Sequence, residues 1–208
     1  MQLACRLLMF SGGLDSTYVL KKFLTETDGV ICVHHIHLAN PDRRGEAETK
    51  ACQAIIDYCK ANYRTFFYSE SNIDRTGMTG FFGFDVMTVS FEAGIAAVNF
   101  KNTMGVMPTE WYFGECLEDL DSPYQKMKNR AHCLRSAMQA GCWPEKPPQL
   151  KTIPWPTKLQ TMQYLAPDLV DMCWTCRNPR SSITGRYGFR ECGRCHTCKM
   201  VDSTRRDL

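Results

Sequence analysis

The chain has 208 residues, a formal net charge of +3 and a 44% hydrophobic composition. That length fits one domain with a full core, and that composition excludes wholesale disorder. The charge is too small to mark a nucleic-acid binder by itself, and no apolar run approaches the ~20 residues of a membrane helix.

The elements can be followed in chain order. The start, Met1-Gln2-Leu3-Ala4-Cys5-Arg6, has no long apolar stretch and no small-residue cleavage site, so a cytoplasmic protein without a membrane partner is expected. Leu7-Leu8-Met9-Phe10 is a short apolar run bounded by Ser and Gly, which suits a buried strand. Val19, Leu20, Phe23 and Leu24 then recur at helical spacing. Residues 30–38 read as a second strand, with His35 and His37 on one face. Between Glu46 and Ala61 the positions Ala47, Ala51, Ala54, Ile55 and Tyr58 lie along one helical stripe. Phe66-Phe67-Tyr68 reads as a third strand with its aromatic rings in the core. Residues 86–100 are apolar enough for a buried helix. Glu110-Trp111-Tyr112-Phe113 reads as a fourth strand ending at Gly114. Strands alternating with helices predict an α/β fold, a doubly wound and mostly parallel sheet. The stretch from Trp143 to Pro156 holds five prolines and reads as a rigid irregular connection. Thr157 then caps a helix that turns Leu159, Met162 and Leu165 inward and ends at Pro167. The division expected is an α/β domain over 1–140, with a late helix and a cysteine-rich segment over 141–208 packed on it as one compact unit.

Two places carry chemistry. The first is Ser11-Gly12-Gly13-Leu14-Asp15-Ser16-Thr17, between the first strand and the first helix. A glycine-rich turn at a helix start offers backbone N–H groups and the positive end of the helix dipole to an anion. The nucleotide pattern G-x-x-x-x-G-K-[ST] is absent, and the loop carries Asp15 instead of a lysine. A carboxylate beside phosphates needs a bridging cation, which implies Mg²⁺. The bland alternative is an ordinary capped strand-to-helix turn.

The second is the tail. Seven of the twelve cysteines are scattered from Cys5 to Cys142 and read mostly as small buried apolar side chains, whereas five cluster between Cys173 and Cys198. Cys192-Gly-Arg-Cys195-His-Thr-Cys198 places three thiols at x₂ spacings suited to one tetrahedral ion, with Cys176, Cys173 or His196 as fourth ligand. Zinc fits such a site; an iron–sulfur cluster and a redox pair of Cys173 and Cys176 are the alternatives. From Cys176 onward eight Lys/Arg face three Asp/Glu. A zinc tetrathiolate carries two negative charges, so this excess either neutralises the metal site or forms a nucleic-acid surface.

Phe10-Ser11-Gly12-Gly13-Leu14-Asp15-Ser16-Thr17 resembles the SGGxDS signature of the N-type ATP pyrophosphatases. That resemblance implies a PP-loop domain of the adenine nucleotide alpha hydrolase type, in which these residues hold the pyrophosphate of ATP with Mg²⁺. A substrate oxygen attacks the α-phosphate, and a nitrogen or sulfur nucleophile displaces AMP. Taken with Trp174-Thr175-Cys176 and the Cys192–Cys198 run, the chain resembles the 7-cyano-7-deazaguanine synthase family. The resemblance implies a structural Zn²⁺ on Cys176, Cys192, Cys195 and Cys198, with Cys173 extra. It implies catalytic roles for Asp15 and for Lys158, which opens the late helix, and an acidic pair in Gly114-Glu115-Cys116-Leu117-Glu118-Asp119. The activity implied is ATP-dependent conversion of 7-carboxy-7-deazaguanine and ammonia to the nitrile through adenylate and amide, in a homodimer. The middle segments His35-Ile36-His37, residues 83–88 and residues 123–127 depart from the family pattern. Two other classes stand beside this reading. One is a tRNA-thiolating adenylating enzyme using Cys173 or Cys116. The other is a zinc-stabilised nucleotide-binding protein without turnover. His35, His37, Lys126, Lys128, Arg130 and Arg135 are candidates for the cleft, or for ordinary edge and solvated positions.

Overall fold

A computed structural model describes residues 4–39, 44–78, 85–121, 126, 128–166 and 168–208. Of the segments singled out above, residues 1–3, 83–84, 123–125, Met127 and Pro167 lie outside this set. Five strands form one sheet in the order β3-β2-β1-β4-β5, with every neighbouring pair parallel. These are β1 (Cys5–Phe10), β2 (Val30–Ala39), β3 (Phe67–Asp74), β4 (Glu110–Phe113) and β5 (Gln149–Leu150). The helices are α1 (Leu14–Glu26), α2 (Gly45–Asn62), α3 (Asp85–Met104), α4 (Arg130–Cys142), α5 (Lys158–Leu165) and α6 (His196–Arg205). A small hairpin of β6 (Arg180–Ser181) and β7 (Phe189–Arg190) lies in the tail.

The period of two along the strands divides the core into two layers. Leu8 and Phe10 of β1 join Ile31, Val33 and Tyr112 against α1, α2 and α5. Leu7 and Met9 turn to the other face, with Cys32 and Trp111, against Ala93, Ala97 and Phe100 of α3 and Met138 of α4. The sheet is therefore doubly wound. The run into β1 is apolar on both faces because helices cover both.

Three expectations change. The Pro-rich connection contains β5, whose backbone bonds to Thr109 and Trp111 extend the sheet by one strand. The ring of Phe67 lies on the open side of the edge strand β3 and is 49% exposed, while Phe66 and Tyr68 pack on the core. In α3 the stripe bearing Phe91 and Ile95 is also exposed, so this helix is buried on one side only.

Strand order sets where a ligand can sit. Chain connections leave β1 toward β2 on one side and β4 lies on the other, so a crevice opens at the carboxyl ends of β1 and β4. The loop 11–13 leaves β1 at that point, and Gly114 leaves β4 beside it.

Candidate active site

The loop is shaped by its own hydrogen bonds. Thr17 Oγ1–H and Thr17 N–H both donate to the Gly13 carbonyl, at 2.8 and 3.0 Å. Ser16 Oγ lies 3.2 Å from the same carbonyl and 3.1 Å from Ser11 Oγ. Gly12 adopts φ +71°, the left-handed region that disfavours a side chain. A Cβ there would stand 2.9 Å from Cys52 Sγ and 3.1 Å from the Glu48 carbonyl, so α2 lies directly against the turn. Gly114 is needed for a different reason: a Cβ would lie 2.2 Å from the Ser16 nitrogen, where β4 ends against the first turn of α1. That first turn presents N–H groups with no partner inside the helix. Gly12→Ala is expected to cost about 1–2 kcal/mol in backbone strain, as urea unfolding would show.

The loop is tied to the tail. The Trp174 N–H donates to the Gly12 carbonyl at 2.9 Å. Cys173, one residue earlier, is buried with its thiol against Thr17 Oγ1 at 3.4 Å and the Leu169 carbonyl at 3.2 Å. It belongs to the main core, not to the cysteine cluster. That placement removes the redox pair of Cys173 and Cys176.

Asp15 opens toward the crevice. Lys158, the first residue of α5, places Nζ 2.5 Å from Asp15 Oδ1. Thr157 and Gln160 form the capping box that starts α5, and the Lys158 N–H donates to Glu118 Oε1 at 2.8 Å. The 3-10 turn Leu117–Asp121 is held to the same place by Leu117 N–H on the Pro156 carbonyl. These bonds deliver Lys158, Asp119 and Cys116 to Asp15. Burial pushes the Asp15 carboxyl up, opposed by the Lys158 ammonium. Burial alone would lower Lys158, but the Asp15 carboxylate outweighs it and the ammonium is held above its ordinary value. The carboxyl and the ammonium thus stand in direct contact, each shifted by the other's charge. Ligand atoms of Asp15, Cys116 and Asp119 all lie within 4.8 Å of one another. Burial, then the charge of Asp15, pushes the Cys116 thiol up to about 12. Two carboxylate oxygens suit Mg²⁺, and the protonated thiol does not compete for it.

A cavity of about 310 Å³ unites these parts. Phe10, Ser11, Gly13, Leu14, Asp15 and Lys158 line one side of it. Gly12, Ser16 and Thr17 are buried and do not form its wall. The end of β2 and the start of α3 form a second side, with His34, Ile36 and Val89. Thr175, Arg177 and Thr197 from the tail form a third.

The histidines of β2 fall on opposite faces. His35 Nδ1 lies 2.9 Å from the Phe10 carbonyl, which can only accept, so the proton sits on Nδ1. Thr49 Oγ1 lies between His35 Nε2 at 3.2 Å and His37 Nδ1 at 2.9 Å, and His37 Nε2 meets Glu70 at 2.7 Å. His34, which the reading of the strand passed over, is buried between Ser69 and Ser71 hydroxyls. Its signal was the alternation itself, because a residue next to His35 on a strand faces the opposite layer. Burial lowers His34 and His35 to about 4 each. The unfolded chain binds these protons at its ordinary value of about 6.5. Stability is thus complete above pH 6.5 and declines as pH falls toward 4, by roughly 1–3 kcal/mol per histidine. Urea unfolding at stepped pH should show this slope, and His35→Gln should flatten it.

The tail brings Cys176, Cys192, Cys195 and Cys198 together, with sulfurs within 4.8 Å of one another. Backbone N–H groups point at the sulfurs: Cys192 to Cys176 at 3.2 Å, Cys195 to Cys192 at 3.3 Å, Cys198 to Cys195 at 3.4 Å. All four are free thiols. Burial raises the Cys195 thiol, but the N–H groups of Arg177 and Cys198 with the Thr197 and Cys198 side chains together outweigh it and bring Cys195 down to about 6, in favour of thiolate. The donor set fits one tetrahedral ion with no open position, which is the pattern of a structural zinc site. His196 is exposed and stands outside the cluster. The cluster is seated on α2 through Ala47 and Ala51, with Trp174 and Phe189 around it. Arg130, a cleft candidate, is paired to Glu115 at 3.0 Å, while Lys126, Lys128 and Arg135 are exposed and lie off the cavity wall.

No protein-family model matches the chain, and no curated protein does. Among solved structures it is similar to the U34-tRNA thiolase NcsA from Methanococcus maripaludis with its 4Fe-4S cluster, at TM-score 0.52 and 10% identity. The match covers 99% of this chain and 67% of that one. The two share the α/β fold. Among the described residues no helix is long and apolar enough to cross a membrane.

Proposed function

We propose that this protein is an ATP-dependent adenylating enzyme of the PP-loop type. The observation that carries it is the cavity at the β1/β4 crevice lined by Ser11, Gly13, Leu14, Asp15 and Lys158, with Asp119 beside Asp15. Ser11, Gly13, Leu14 and the first N–H groups of α1 would hold the pyrophosphate end of ATP. Asp15 and Asp119 would hold Mg²⁺, which supplies charge neutralisation between carboxylates and phosphates. Lys158, released from Asp15 when the cation binds there, would turn toward the phosphates and offset charge on the departing group. Gly12, Ser16 and Thr17 act from beneath, by fixing the turn. Cys176, Cys192, Cys195 and Cys198 would hold zinc as a structural ion.

The acceptor we favour is a small acid, 7-carboxy-7-deazaguanine, with ammonia completing the amide and a second activation giving the nitrile. Support comes from the closed four-sulfur site and the Trp174-Thr175-Cys176 and Cys192–Cys198 motifs beside the cavity. The fold shared with a tRNA thiolase favours a second reading, sulfur insertion into tRNA. The two candidate relay thiols outside the four-sulfur cluster are shielded, however. Cys116 and Cys173 are both buried, with thiols pushed up to about 12 by burial.

The test is pyrophosphate release from ATP and Mg²⁺ by zinc-loaded protein, with ammonium and with or without 7-carboxy-7-deazaguanine. Release dependent on the acid is expected. Release dependent on tRNA and a sulfur donor would move the assignment to thiolation. ATP binding without any release would make the protein a nucleotide-binding module.

A further inference from the structure

Among the described residues, the charges on the cavity wall leave one cation without an opposing acid. Asp15 is paired with Lys158, and Arg44 is paired with Glu48 at 3.4 Å and with Asp85. These are the acids of the wall. Among the described residues, the remaining cation is Arg177, which is exposed and has no ion pair. The loop offers N–H groups and hydroxyls but also the charge of Asp15, so it supplies no net positive charge of its own.

Arg177 is also held at its root. It follows Cys176, its own N–H is directed at Cys195 Sγ, and Thr197, beside it on the wall, opens the helix capped by Cys195. An ion on the four sulfurs would fix the backbone on both sides of this arginine. Two residues back, Trp174 N–H binds the carbonyl of Gly12. The guanidinium is thus anchored in register with the loop.

We propose that Arg177 is the anion-binding residue of this cavity and takes the α-phosphoryl group of the nucleotide and of the adenylate formed from it. The proposal rests on the nucleotide reading above. The loop holds the pyrophosphate end, and Arg177, from the tail wall, neutralises the phosphoryl that stays with adenosine. The cysteine-bound ion then has a positioning role in binding, without touching the substrate.

The experiment is titration of zinc-loaded wild type, Arg177→Ala and Arg177→Lys with ATP–Mg²⁺, AMP and adenosine. Bound zinc is measured in each variant to show that the tail remains folded. Arg177→Ala should weaken AMP about 10- to 100-fold, the range for losing a charged hydrogen bond. It should leave adenosine within about twofold, and Arg177→Lys should recover part of the loss because it keeps the charge. Unchanged AMP binding in a zinc-replete Arg177→Ala overturns the proposal. Equal weakening of AMP and adenosine overturns it too, since Arg177 would then only shape the wall. Wild type that binds none of the three ligands would instead defeat the nucleotide reading itself, and the role of Arg177 with it.

Discussion

Lys158→Ala is expected to lower the unfolding free energy by about 3–5 kcal/mol and the Tm by about 10 °C, and to abolish ATP-dependent pyrophosphate release. Lys158 is 2% exposed, and its ammonium is 2.5 Å from Asp15. Removing it leaves a half-buried carboxylate facing the charges of Asp119 and Glu118, both of which already push Asp15 up. The site can then relax only by protonating Asp15, which also removes the ligand proposed for Mg²⁺. Asp15→Asn separates the two effects. It keeps the shape, disables cation binding and leaves a buried ammonium without its partner. The double variant Asp15→Asn, Lys158→Met should recover most of the stability and none of the activity. Urea unfolding and a coupled pyrophosphate assay check each arm. A Lys158→Ala protein within 1 kcal/mol of wild type would show that the ion pair contributes no net stability.

The second large effect is at the sulfurs. Cys192→Ser or Cys195→Ser should reduce bound zinc from stoichiometric to near zero and open the tail to trypsin at Arg177 and Arg180. The reason is size. Strands β6 and β7 have two residues each, and the cluster around Trp174 and Phe189 contains few large side chains. Such a segment cannot offset its own ordering entropy, so metal must organise it. ATP binding should weaken together with zinc loss, because Trp174 N–H would no longer fix the Gly12 carbonyl. Metal analysis, limited proteolysis and calorimetry read the three consequences. A trypsin-resistant, metal-free Cys195→Ser would exclude the organising role.

Much of this was legible from local pattern. The strand–glycine–helix junction at residues 10–14, the stripe of α2 and the spacing of the last three cysteines are local features, and the structure places them accordingly. What escaped depends on distant partners. β5 has two residues in a proline-rich stretch and exists because Gln149 and Lys151 bond the edge of β4. Phe67 reads as core by composition, yet β3 is an edge strand and that ring falls on its uncovered side. Lys158 and Asp15 are separated by 143 positions, so no spacing rule joins them; the family resemblance gave each a catalytic role but not their pairing. The free charge of Arg177 becomes visible only once the other cations of the wall are matched to their acids.

The bond from Trp174 to Gly12 also sets an order of events during synthesis. Residue 12 leaves the ribosome well before its partner, and its carbonyl is bonded only after about 160 further residues, some 10–30 s at ordinary elongation rates. Until then the nucleotide loop lacks the strut that holds its turn. On the nucleotide reading proposed above, a nascent chain would be a poor ATP binder, with competence arriving with the cysteine-rich tail rather than with the sheet. Stalled chains that end before residue 174 should escape an ATP-agarose resin that retains the finished protein.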